Sequence, residues 1–389
     1  MNQTLPHSSE VQARLARVHA LLDHAPLVDG HNDLPILIRR DAAGDVAAYD
    51  LLADHTTKHP KRDTDIPRLR EGRVAAQFWA AFVPPREAKP ASYALQQIAL
   101  VHRMNALYPD VFHPARRVAD IAAAKAKGRI ASFITIENGA ALENRPETLE
   151  AFYDLGVRLM TLCHNATTDW CDSATDTPRH NGLTDLGRTI IKRMNDLGMI
   201  IDLAHVSDAV MHQVLDITRA PVVWSHSNVR ALCNHPRNVP DDVLARVAAN
   251  GGIVMATFVP NFICQKSNDW LKPISDTFGK TKDGLNEDAE IKAREPRVGP
   301  WPRGTLSQYC DHLDDLSRKV GFDHIGIGSD FFGGPQGQGL EDVTCFPHIL
   351  ADLMGRGWSD ENLMKLAGGN FIRAFQAVED AALRTQSCA

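Results

Sequence analysis

Met199-Ile200-Ile201-Asp202-Leu203-Ala204-His205 and Pro221-Val222-Val223-Trp224-Ser225-His226 are two apolar runs that each stop on a histidine. Between them Ser207 has the chemistry of a helix N-cap, and Val210, Met211, Val214, Leu215 and Ile217 recur on one helical face. The two histidines are 21 positions apart, about one βα repeat. If the strands are parallel neighbours, their carboxyl ends lie side by side. Arg237 follows 11 positions after His226, in a loop flanked by prolines. The chemistry of the chain is expected here first.

The same pattern extends in both directions. Towards the amino terminus, apolar strands are predicted at residues 27–31, 72–83, 130–136 and 157–163. Towards the carboxyl terminus they are predicted at 253–258 and 324–329. Helices are expected at 10–24, 92–107, 118–127, 146–155, 186–197, 306–320, 343–354, 360–366 and 370–382, with one beginning at Pro240. Residues 31–70 read as a polar segment. Residues 265–304 read as a long polar insertion after strand seven: a lid, an interface, or a partly helical excursion. Eight strands alternating with helices, with no compositional boundary between 1 and 389, predict a single α/β domain. It is a (β/α)8 TIM-type barrel with its site at the carboxyl ends of the strands. A doubly wound sheet is the alternative, but it would not put ionisable residues at six strand ends.

Composition bounds the function. Hydrophobic content of 44%, charged content of 23% and a net charge of −6 suit a globular protein with a large core. They give no electrostatic argument for nucleic acid or an anionic membrane. No run approaches the roughly 20 apolar residues of a membrane helix, residues 1–24 lack a signal-peptide pattern, and the carboxyl end is polar. The expected location is the cytoplasm. Seven scattered cysteines without CxxC spacing suggest free thiols. Cys233 and Cys264 each lie seven residues past a strand end and could pair, although a reducing compartment disfavours it.

The strand ends carry His31 and Asp33, Glu137, His164, His205, His226 and Asp330. Neutral imidazole and carboxylate are ligands for zinc or a similar first-row ion. Three histidines with two carboxylates exceed the three protein ligands of one catalytic zinc. The excess suggests two ions sharing a bridging group, with hydroxide between them as nucleophile. Each residue also has a plainer reading. His164 could cap a turn with Asn165, Glu137 could cap the next helix, Asp330 could hold the Gly333-Gly334 loop through an Asx turn, and Arg237 could serve a salt bridge. Placement of all of them at strand ends favours a joint site.

Ten segments then carry a resemblance. They are Val28-Asp29-Gly30-His31-Asn32-Asp33, Ala76-Gln77-Phe78-Trp79, Ile136-Glu137-Asn138-Gly139, Thr161-Leu162-Cys163-His164-Asn165, Asp202-Leu203-Ala204-His205-Val206-Ser207 and Ser225-His226-Ser227. Beyond these come Pro236-Arg237-Asn238-Val239-Pro240-Asp241, Ile325-Gly326-Ile327-Gly328-Ser329-Asp330-Phe331, Gly339-Leu340-Glu341-Asp342-Val343 and Ala367-Gly368-Gly369-Asn370-Phe371. In this order, over residues 26–378, the chain resembles the renal (membrane) dipeptidase family of binuclear zinc peptidases within the amidohydrolase-like barrels.

The resemblance implies a zinc-dependent dipeptidase with two zinc ions, manganese or cobalt being able to substitute in vitro. It assigns His31 and Asp33 to one ion, His205 and His226 to the other, and Glu137 to both. It makes Asp330 the proton carrier, His164 the stabiliser of the tetrahedral intermediate and Arg237 the receiver of the substrate's terminal carboxylate. It also implies a homodimer and tolerance of D-residues at the carboxyl position. Asn138, Cys163 and Phe332 stand where the family often has Gly, Thr and Asp, beside the site, and bear on substrate preference. A lactonase, deaminase or amidase on the same centre, or a barrel that binds metal or peptide without turnover, are the competing expectations.

Overall fold

Among the described residues nine strands form where the sequence pattern predicts eight: β1 (Leu27–Asn32), β2 (Val74–Phe82), β3 (Phe112–Pro114), β4 (Ile130–Glu137), β5 (Val157–Thr161), β6 (Ile200–Asp202), β7 (Val223–Trp224), β8 (Ile253–Ala256) and β9 (Ile325–Ile327). The computed structural model describes residues 9–57, 62–278 and 287–388. Every strand pairing is parallel, and neighbours run β2-β1-β9-β8-β7-β6-β5-β4. Pairing of β2 with β4, from Ala76↔Ala131 to Phe82↔Glu137, closes the ring into an eight-stranded barrel. The ninth strand, β3, lies outside it. It pairs with β4 from Phe112↔Ile130 to Pro114↔Ser132, along the stretch of β4 that precedes its pairing with β5. Three residues ending in proline give too short a period to see in sequence, and a one-sided partner tolerates the missing N–H.

Alternation along the strands divides two kinds of burial. On β4, Ala131 and Phe133 share a face with Glu137 and join Val28, Ala76, Phe78, Leu159, Ile200, Val223, Ile253 and Met255 in one apolar cluster. Phe371 and Phe375 of the last helix (Asn370–Cys388) complete it, Phe371 meeting Phe78 edge-on at 4.7 Å. The opposite faces of the strands pack against the helices in a larger cluster. The amino-terminal helix Ser9–His24 buries Leu15, Val18 and Leu22 against the helix Phe346–Gly355. Among the described residues no helix is long and apolar enough to cross a membrane.

The structure corrects some sequence expectations and bears out others. Residues 31–70 are not one polar segment but contain the helices Leu34–Ala42, Val46–Tyr49 and Ile66–Glu71. Two of the aspartates that made the stretch look polar are caps: Asp45 accepts from the amides of Ala47 and Ala48, and Asp65 from that of Arg68. The insertion is helical, over Gln265–Phe278 and Glu287–Val298, with a small core of Leu271, Ile274, Ile291 and Trp301. Pro273 and Pro296 inside those helices broke the periodic reading. The rest of the expected insertion, 279–286, lies outside the described residues, as do residues 1–8. Cys233 and Cys264 are free thiols; Cys233 donates to the carbonyl of Asn261 at 3.1 Å, and Gln308 donates to Cys264 Sγ at 3.6 Å. The Ser207 cap holds, accepting from the Val210 amide at the head of the helix Asp208–Ile217.

Just past β9, Gly328 meets the backbone of the residue before His226. A Cβ there would lie 1.7 Å from the carbonyl oxygen of Ser225, which cannot retreat without pulling on β7. Gly328→Ala is therefore expected to cost about 3 kcal/mol. The measurement is the thermal unfolding midpoint; an unchanged midpoint would mean that this approach is looser than the structure has it.

Candidate metal centre

Hydrogen-bonded strand ends sooner than the apolar runs do. β6 stops at Asp202, and the chain reaches His205 through a turn in which Asp202 Oδ1 accepts from the Ala204 amide at 3.0 Å. His205 sits at φ 71° and Asp330 at φ 60°, left-handed positions that glycine usually takes. Such backbone costs about 1–3 kcal/mol and survives only where its surroundings enforce it. His164, His205 and His226 therefore lie beyond the ends of β5, β6 and β7, whereas His31 is still within β1.

There the expected residues meet. Glu137 is the hub. Its Oε1 lies 3.0 Å from His205 Nε2, 3.6 Å from His164 Nε2 and 3.8 Å from His226 Nε2, and its Oε2 lies 3.5 Å from His31 Nε2. His31 Nε2 also lies 3.3 Å from Asp33 Oδ2 and 3.9 Å from Asp330 Oδ1. The Nε2 atoms of His205 and His226 are 2.9 Å apart. Ligand atoms fall within 4.8 Å of one another in three sets: His31, His226 and Asp330; Glu137, His164 and His205; His31, Asp33 and Glu137. The plainer readings of single residues lose ground here. Asn138, not Glu137, caps the next turn, accepting from the Ala140 amide, and Asn165 accepts from His205 Nδ1 at 3.0 Å.

The electrostatics match a site built for cations. Glu137 is buried, which by itself would favour the neutral acid, yet His31 and His164 hold its carboxyl well below the usual range. Burial pushes His205 and His226 well down and His164 down to about 4, leaving neutral imidazoles. His31 goes the other way: burial opposes its charge, but the carboxylates of Glu137 and Asp33 raise it well above normal. Asp330 is raised well above the usual range, by burial first, with His31 opposing and Asp33 and Glu137 adding to it.

The donor set fits a metal on an independent ground. Both ring nitrogens of His31, Asp33 Oδ1 and His164 Nδ1 are buried without a hydrogen-bond partner among the described residues. Buried polar atoms are rarely left so, and four in one cluster mark a place where a ligand completes them.

Arg237 lies beside this cluster, 2% exposed. Its guanidinium makes two bonds of 3.4 Å, from Nη1 to Ser227 Oγ and from Nη2 to the His226 carbonyl, with the Phe262 ring 5.4 Å away. Burial lowers its pKa, and Asp330 and Glu137 oppose that by their charge.

Sequence reasoning left several residues here without a role. Asp29 and Asp202 are buried on β1 and β6, and each holds the serine before a site residue by both its N–H and its O–H. Ser329 donates to Asp29 at 2.8 and 2.7 Å, and Ser225 donates to Asp202 at 2.9 and 2.6 Å. Gln77 from β2 adds a third donor to Asp29, and Thr161 from β5 adds one to Asp202. Burial raises Asp29 to about 6 against these hydrogen bonds. Phe82, at the end of β2, meets His164 edge-on at 4.9 Å. An aspartate inside an otherwise apolar strand was the available signal for the first pair.

Comparison with known proteins places the chain in a family. The chain is 36% identical to an uncharacterized dipeptidase of Schizosaccharomyces pombe over 94% of its own length and 83% of that protein's. The probable dipeptidase PvdM from Pseudomonas aeruginosa has the same fold, with a TM-score of 0.80 at 24% identity, covering 95% of this chain and 100% of that one. So does a metallopeptidase from Rhodobacter sphaeroides, with a TM-score of 0.72 at 23% identity over 91% and 99% of the two chains. The family model for membrane dipeptidases matches residues 15–389, and the chain therefore belongs to the membrane dipeptidase family, peptidase family M19.

Proposed function

We propose that this protein is a metal-dependent dipeptidase acting on dipeptides with a free carboxyl terminus, and that the buried guanidinium of Arg237 selects them. The observation that carries this is a charge removed from water whose bonds within the chain are long and go to neutral acceptors. An unpaired buried charge is costly, and a planar carboxylate is the partner its fork accepts best. Arg237 stands next to the metal cluster, so a carboxylate held there places the adjoining amide over Glu137 and its histidines. The Rhodobacter sphaeroides metallopeptidase is liganded with a phosphinate mimic of the dipeptide L-Ala-D-Ala. D-residues at the carboxyl position belong to the proposed range.

His31 and Asp33 would hold one ion, His205 and His226 a second, and Glu137 would reach both. The imidazole–carboxylate set suits zinc. When bound, the metal supplies Lewis acidity and a water nucleophilic at neutral pH. Asp330 takes the proton and returns it to the departing amine; burial, which raises its pKa, suits a carboxyl that must hold a proton in mid-reaction. Neutral His164, its side chain 15% exposed, presents Nε2 to the developing oxyanion. A homodimer, which the family resemblance implies, and a cytoplasmic location, suggested by scattered cysteines without CxxC spacing, belong to the same proposal.

Three measurements bear on this. Arg237→Ala should raise KM for dipeptides about 10- to 100-fold, the worth of a charged hydrogen bond, and Arg237→Lys should recover little of it. Wild-type enzyme should show the same loss on dipeptide amides; equal turnover of acids and amides would sink the selector role. Asp330→Asn should lower kcat by about 10²–10⁴ with metal content unchanged, and wild-type kcat in that variant would remove Asp330 from proton transfer. Chelation should abolish activity, and added zinc should restore it, with elemental analysis finding two equivalents per chain.

A further inference from the structure

The proton on His226 is not free to choose its nitrogen, because a chain of hydrogen bonds behind the ring decides it. Asp202 is fully buried, and four donors converge on its carboxylate. Oδ1 accepts from the amides of Ala204 at 3.0 Å and Ser225 at 2.9 Å. Oδ2 accepts from the hydroxyls of Thr161 and Ser225, both at 2.6 Å. An ionised carboxylate accepts only, so the single hydroxyl proton of Ser225 points at Asp202. Ser225 Oγ also lies 2.7 Å from His226 Nδ1, and with its proton committed it can only accept there. Nδ1 must then carry the hydrogen, and the lone pair is left on Nε2, the atom facing His205 Nε2 and Glu137.

We infer that Asp202 and Ser225 are positioning residues that lock His226 in the Nδ1–H tautomer and so present Nε2 as a ligand. The inference rests on the metal-binding reading of the cluster for its consequence, but the tautomer itself is a property of the metal-free protein. Asn165 does the same for His205 by a single bond, its Oδ1 accepting from Nδ1 at 3.0 Å. The His226 arrangement is stiffer, since the carboxylate that orients the serine also ties β5, β6 and β7 together. An amide at position 202 would reverse it. The two backbone donors at Oδ1 would keep the amide oxygen there, so the NH2 group would face Ser225 Oγ and donate to it. The hydroxyl proton would turn towards Nδ1, and the ring hydrogen would move to Nε2, where the ligand lone pair belongs.

The test uses the full chain labelled with 15N-histidine, stripped of metal, with His226 assigned by its absence in His226→Gln. Wild type should show protonated Nδ1 and bare Nε2 at His226; Asp202→Asn should show the reverse. Ser225→Ala, which removes the acceptor with little change of volume, should bind zinc about 10- to 100-fold more weakly in a competition titration run well below the variant's own metal-free unfolding midpoint. The inference is overturned if Asp202→Asn keeps the Nδ1–H tautomer, or if Ser225→Ala binds zinc as wild type does. Should Asp202→Asn not fold, the wild-type tautomer and the Ser225→Ala titration decide it by themselves. Wild-type protein that takes up no zinc yet shows Nδ1–H would support the tautomer lock and overturn the metallopeptidase reading instead.

Discussion

A single buried carboxylate, that of Glu137, organises the mouth of the barrel. Four imidazoles turn their Nε2 atoms to within 3.0–3.8 Å of its two oxygens. Removing a carboxylate from water costs several kcal/mol unless charge and hydrogen bonds offset it. The offset comes from β1, β5, β6 and β7 together, so no one neighbouring strand can supply it. Closure of β2 onto β4 is what allows this, because it puts Glu137 in register with Phe82 on one side and Thr161 on the other. A sheet left open at that seam would leave Glu137 at an edge.

The polar layer beneath the ligands is as ordered as the ligands are. Asp29 and Asp202 lie in the two arcs of the barrel that carry the ligands, and each binds the N–H and O–H of the serine preceding Asp330 or His226. The repetition gives it a mechanical sense: the carboxylates join β2, β1 and β9 in one arc and β5, β6 and β7 in the other. Histidine side chains that converge on one carboxylate need such a base, since three of the four lie beyond the ends of their strands. The left-handed φ at His205 and Asp330 is tolerable for the same reason.

Much of this was legible in residue order, and the exceptions have physical causes. The alternation of apolar runs with amphipathic helices predicted the barrel because each run is buried on both faces and so reads as continuous. Strand β3 escaped because three residues carry no period. The helices Val46–Tyr49 and Ile66–Glu71 escaped because Asp45 and Asp65, which look like loop residues, are their caps. Gln265–Phe278 and Glu287–Val298 were obscured by the prolines within them. Where the sequence put His205 on the end of its strand, the structure puts it three residues beyond, because the Asp202 side chain ends β6 by capturing a backbone amide.

Sequence by itself determined the candidate ligand types, their order along the chain and their common destination, since parallel strands in a barrel deliver all their carboxyl ends to one face. It also placed Arg237 near that face. Only the tertiary structure decided which atoms meet: that Glu137 is the hub, that Arg237 is buried with its hydrogen bonds going to neutral acceptors, and that Ser225 stands between Asp202 and His226. Such matches join residues as far apart as Asp29 and Ser329, 300 positions along the chain. They depend on strand register and side-chain direction at the scale of one hydrogen bond, and local residue order carries no record of either.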